Sequence, residues 1–88
     1  MKVLEEREKT HGNWTKQATT AKDLRTVARL PGDIPPPISE ALQMICVKLA
    51  RISQGDACYV DHWEDIAGYA TLAARFLKEK ESDYARSV

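Results

Sequence analysis

The chain is poor in the residues that staple, span or catalyse. Its 88 residues hold two cysteines, Cys46 and Cys58. These are too few for a disulfide framework, so both are expected as reduced thiols. Together with His11 and His62 they superficially form a zinc set, yet C-x-x-C and H-x-x-x-H spacings are both missing, and no metal site is expected from them. Cys58 sits in a turn without an identifiable acid to orient a Cys–His nucleophile pair, and Cys46 reads as a small core residue. There is no excess charge either: 13 Lys and Arg balance 13 Asp and Glu. That balance argues against sequence-independent DNA binding, attraction to an acidic membrane, and mimicry of DNA. No apolar run reaches the roughly 18 residues of a membrane helix, and the start MKVLEEREK is too charged for a signal peptide. A cytoplasmic protein is expected. Eighty-eight residues make one domain, 1–88, with no room for a second core. A chain this short buries only about 60% of its unfolded surface, and association with copies of itself is one common remedy.

What is present is helical periodicity. Residues 2–9, KVLEEREK, form two helical turns with Val3, Leu4 and Arg7 on one side, too few to stand alone. His11-Gly12-Asn13 breaks them, and Asn13 is a good N-cap for a second helix over about 14–29. Trp14, Ala18, Ala21, Leu24, Val27 and Ala28 give that helix a one-sided stripe. Pro31-Gly32 ends it, and DIPPP makes a stiff spacer. A third helix spans about 38–53, starting near Pro37 or Ile38, with Gly55 expected as a left-handed cap. Ile38, Leu42, Ile45, Leu49 and Ile52 line one face of it, and Ala41, Met44 and Val47 another. A fourth helix spans about 61–81, opened by Asp61 and Glu64 as a capping box and followed by the polar tail SDYARSV. Ile66, Ala67, Ala70, Ala73, Ala74 and Leu77 are expected to face one way, and Tyr69, Leu72 and Phe76 another. Gly68 costs the helix about 1 kcal/mol, and close packing or ligand access would offset that. The fold class is all-α: a small helical bundle built on an antiparallel helix pair. Its doubly apolar helices predict a homo-oligomer, most simply a dimer.

One constellation has chemistry in it. Lys48 and Arg51 are three apart on one helical face, so both reach a single phosphate. Their alternative is an ion pair with Asp61 or Asp65. Asp61 reads first as an N-cap, whereas Asp65 lies past the capping positions and one turn before Tyr69, as a salt-bridge partner or a ligand. Trp14, Trp63 and Tyr69 offer faces on which a base stacks. Core packing is the stronger reading for Trp63, and Trp14, beside His11 and Gly12, is the best ligand platform.

The pattern THG, then EALQMICVKLARI-x-x-G and DHWEDIAGYATLAA, resembles an uncharacterised family of short phage and prophage proteins over roughly residues 5 to 75. More distantly, D-x-x-x-D-x-x-x-Y is similar to phage nucleotide-modification-associated domains and, through them, to all-α MazG-like pyrophosphohydrolases. The resemblance implies an all-helical fold, a viral origin and hence a host-cell cytoplasmic setting, and a connection with nucleotides. MazG-like enzymes set E-E-x-x-E against E-x-x-D to hold Mg²⁺. Here the penultimate helix offers Glu40, Lys48 and Arg51, so a complete metal set is missing. Three readings follow. The first is a non-catalytic phage protein, needing no cofactor, that binds a nucleotide, cyclic nucleotide or other nucleotide-derived signal and so sequesters a host immune messenger. In it Lys48 and Arg51 meet phosphate, Trp14, Trp63 or Tyr69 the base, with His11 nearby, and Asp65 a ribose hydroxyl or the cations. The second is a Mg²⁺-dependent pyrophosphohydrolase using Asp61 and Asp65, completed across a subunit interface. The third is a protein inhibitor of a host defence enzyme.

Overall fold

In the computed structural model, residues 2–87 are described, and side chains over 3–81. Four helices follow one another: α1 (Lys2–His11), α2 (Trp14–Val27), α3 (Pro36–Gln54) and α4 (Val60–Ser87). Among the described residues there is no strand, and no helix is long and apolar enough to cross a membrane. The fold is all-helical. α3 is the hub, packing against α4, α2 and α1, while α1 also touches α2.

The helix ends follow local chemistry. The Asn13 side chain accepts from the Lys16 amide at 3.2 Å, capping α2. α2 stops at Val27 rather than Arg29 because Arg29 takes a left-handed φ of 50°, ahead of Pro31 and Gly32. α3 begins at Pro36, earlier than expected, since proline suits the first turn where its missing N–H is not needed. α4 begins at Val60, so Asp61 lies inside the first turn and is not its cap. It also runs on to Ser87, through the segment expected as a polar tail.

Gly55 differs from expectation too. Its φ is −121°, not left-handed, and its function is close approach. A Cβ there would lie 2.3 Å from the Thr10 carbonyl oxygen, and one on Gly12 would lie 2.5 Å from that of Gln54. Two glycines therefore let the end of α1 cross the end of α3 backbone to backbone. The crossing is fastened where the Asp56 amide donates to the Thr10 carbonyl at 3.1 Å.

The core is small-residue. The buried apolar side chains among the described residues are Ala21, Ala41, Cys46 and Ala50, and the largest side chain fully buried is His62. Ile38, Leu42, Ile45 and Ile52 are only half-buried, and Leu49 is exposed. α4 turns His62, Ile66, Tyr69, Ala73 and Phe76 inward, which is one stripe at spacings of three and four. Ala67, Ala70, Ala74 and Leu77, expected beside Ile66, instead face solvent. Gly68 is in the open, with nothing within 4 Å of a Cβ built there, so it is not a close helix contact in this chain. Trp63 is not a core residue: it is 52% exposed, and its indole N–H donates to the Ala57 carbonyl at 2.8 Å.

Candidate functional site

The crossing of α1 over α3 sets up everything near it. Thr10 and His11 sit at the end of α1, directly before Gly12. The buried ring of His62 reaches across from α4, its Nε2 lying 2.7 Å from the Thr10 carbonyl oxygen. A carbonyl brings no proton, so His62 Nε2 must donate, which settles the tautomer of a neutral ring. The His11 ring stands edge-on to His62, centroids 4.8 Å apart, and Tyr59 packs on His62 at 5.0 Å. These three rings form the floor.

Around them lie the charges. Gln17, buried in α2, donates through Nε2 to the His11 carbonyl at 3.0 Å and accepts from Arg51 Nε at 2.9 Å. The amide thus ties α1, α2 and α3 together and orients Arg51. Because the bond uses Nε, the two terminal nitrogens of the guanidinium remain for another acceptor. Lys48 is buried and pairs with Asp65 of α4 at 2.8 Å; it is the one ion pair within 4.0 Å among the described residues. Arg7 comes in from α1.

The charges act on one another. Burial, then the charges of Arg7 and Arg51, push the His11 pKa below its ordinary value. Burial and Arg7 likewise lower that of Arg51, against a partial opposing pull from Asp65 and Tyr69. The Lys48 ammonium, by its hydrogen bond, holds the Asp65 carboxyl below the usual carboxylate range. Hydrogen bonding to Asp61, and the charge of Asp61, raise the Tyr59 hydroxyl. Arg7, Lys48 and Arg51 carry the positive charges; Asp65 pairs with Lys48, and Glu8 and Glu64 line the adjoining openings.

Openings lead to this cluster from two sides. One groove of about 230 Å³ is lined by Arg7, Gly12, Trp14 and Gln17 among others. A second, of about 180 Å³, is lined by Trp14, Gln17, Val47 and Arg51. Trp14, 69% exposed, borders both. On the α4 side a cleft of about 320 Å³ is lined by Glu64, Asp65, Gly68, Tyr69 and Leu72. The absent side chain of Gly68 helps keep that cleft open.

Of the residues singled out from the sequence, His11, Lys48, Arg51, Asp65 and Tyr69 come together, and Trp14 flanks them. Trp63 does not join them. It lies two residues before Asp65, about 200° around the helix. Asp61 meets the Tyr59 hydroxyl rather than completing a carboxylate set with Asp65, and among the described residues no three His, Cys, Asp or Glu side chains cluster as metal ligands. Arg7, Gln17 and Tyr59 were not anticipated at the site, and His62 only as a member of a discarded zinc set. Two of them had a signal: Gln17 falls on the α2 stripe of Trp14, Ala21, Leu24 and Ala28, and His62 on that of Ile66, Tyr69 and Ala73. A polar residue on a core stripe marks a buried hydrogen-bonding group.

Fold and site define an all-helical domain with a cationic cluster where four helices meet. Within that class the chain belongs to the family described as a domain of unknown function, DUF6378, whose model matches residues 1–77. That span takes in every residue of the cluster. No curated protein and no solved structure matches the chain.

Proposed function

We propose that this protein binds a nucleotide, or a signal derived from one, by its phosphates and without turning it over. One observation carries the reading: Arg7 of α1 acts on Arg51 of α3, and Lys48 and Arg51 both act on the one carboxylate paired with them, Asp65. Mutually repelling cations, partly out of water, are stabilised by a phosphate that accepts charge-assisted hydrogen bonds from them. Gln17 holds the Arg51 fork in place before the ligand arrives, which lowers the ordering cost of binding. Trp14 borders the grooves of both arginines, and there its exposed indole serves as a stacking face for the base. Asp65 keeps Lys48 oriented and accepts from a ribose hydroxyl. The resemblance to short phage proteins extends the proposal to sequestration of a host immune messenger, a cyclic nucleotide being one such ligand.

The rival reading, a Mg²⁺-dependent pyrophosphohydrolase, has one observation in its favour: Glu64 and Asp65 line the same cleft. Against it, Asp65 is engaged by Lys48 at 2.8 Å, and an ammonium there repels a cation. Incubation with a nucleotide, denaturation and chromatography of the released ligand separate the two. Recovery of intact nucleotide, unaffected by Mg²⁺ or chelator, is expected. Release of pyrophosphate or monophosphate that stops in chelator establishes the hydrolase instead. Co-purification with a host enzyme, and no retained nucleotide, points to an inhibitor.

A further inference from the structure

Val60, Trp63, Ala67, Ala70, Ala74 and Leu77 recur at alternating spacings of three and four along α4. They form one apolar stripe about 100° wide, and among the described residues no helix of this chain packs over it. Val60 is 60% exposed, Trp63 52% and Leu77 48%, and all three alanines are exposed. A strict alternation of this kind is the seam of a helix pair. The next row round the helix, on the solvent side, is Asp61, Glu64, Gly68, Thr71, Arg75 and Lys78. It is acidic at its start, uncharged in its middle and basic at its end.

Both rows are self-complementary when the helix is reversed. With Ala67 opposite Ala70 of a second α4 running the other way, Trp63 falls opposite Ala74 and Val60 opposite Leu77. Large side chains then meet small ones at the Trp–Ala layers. The same reversal brings Glu64 within two residues of Arg75, about 3 Å along the axis and within reach of these long side chains, at both ends of the pair. A parallel pair would set like charges side by side, which is unfavourable. The core supplies an independent reason for a partner. No Leu, Ile, Val, Met, Phe or Trp is fully buried among the described residues, although these residues normally fill protein interiors.

We infer that the occupant of this stripe is a second copy of the chain, its α4 running antiparallel to the first across a two-fold axis near Ala67 and Ala70. A closed two-fold contact of this kind is isologous, so one patch satisfies both protomers.

Light scattering of the full chain at tens of micromolar tests this, together with three variants. The parent is expected at twice the 9.9 kDa of one chain. Ala70→Glu, at an exposed helical position, is expected to be monomeric with its circular dichroism unchanged. Glu64→Lys places like charges near Arg75 and weakens the dimer by about tenfold or more, the equivalent of about 1.4 kcal/mol. Glu64→Lys combined with Arg75→Glu restores it. A monomeric parent overturns the inference, as does a dimer that Ala70→Glu leaves intact. A double swap that fails to rescue the single one overturns the register.

Discussion

The same chemical change at two glycines should have opposite effects, because their surroundings differ. Gly12 has φ +82°, and a Cβ built there lies 2.5 Å from the Gln54 carbonyl oxygen, a backbone atom that cannot swing aside. Gly12→Ala therefore incurs the left-handed penalty of an L residue, about 1–2 kcal/mol. It also forces α1 off α3, an overpacking cost of about 1–3 kcal/mol. The sum is about 2–5 kcal/mol, a large fraction of what a small domain has. Gly68 is helical and open, so Gly68→Ala gains the propensity difference of about 1 kcal/mol. At about 4–8 °C per kcal/mol for this size, the first variant melts well below the parent and the second slightly above it. Urea denaturation followed by circular dichroism, with comparison of midpoints at equal slope, reads both. Gly12→Ala at the parent's midpoint would refute the close α1–α3 crossing, and with it the placement of Arg7 and His11 beside Arg51. Gly68→Ala below the parent's would show that something packs over Gly68 in solution.

Two further outcomes follow from the cluster. His11 and Asp65 both have folded-state pKa values below their ordinary ones. The His11 contribution to stability is therefore complete above about pH 6.5 and is lost as pH falls through its lower folded value; that of Asp65 is complete above about pH 3.9 and is lost below it. Stability measured by urea titration from pH 8 to pH 3 should fall in both windows; a rise on acidification between pH 7 and pH 5 contradicts the arrangement around His11. Gln17→Leu keeps the volume but strands the His11 carbonyl and Arg51 Nε. It should cost about 1–3 kcal/mol and reduce phosphate binding, as measured by denaturation and calorimetry.

Much of the architecture was legible because it is local. Asn13 caps α2 through its own side chain, and a three-and-four periodicity places α2, α3 and the start of α4 to within two residues, though not the end of α4 at Ser87. An ion pair of Lys48 or Arg51 with Asp61 or Asp65 was one of two readings open from the sequence, and the pair formed is Lys48–Asp65. What the sequence hid is tertiary. Gly55 reads as a left-handed cap and Gly68 as a close contact or a ligand opening, yet Gly55 is pressed against Thr10 and Gly68 borders an open cleft. Trp63 shares its stripe with alanines, which suggests burial, but α3 lies against the stripe of His62 and Tyr69 instead. Arg7 is one charge among several in a short polar helix, and only the Gly12–Gly55 crossing brings it beside Arg51.

The most direct measurement is the melting temperature of the full chain with and without nucleotides and cyclic nucleotides, repeated on Arg51→Ala. A ligand that binds only the folded state at a hundredfold excess over its Kd adds about 2.7 kcal/mol, a rise on the order of 10 °C for a domain of this size. That rise should occur without Mg²⁺ and should mostly vanish in Arg51→Ala, since a charge-assisted phosphate contact contributes about 1.5–3 kcal/mol. If no nucleotide shifts the parent while Arg51→Ala alone lowers its melting temperature, the cationic cluster is structural and the nucleotide-binding proposal is wrong.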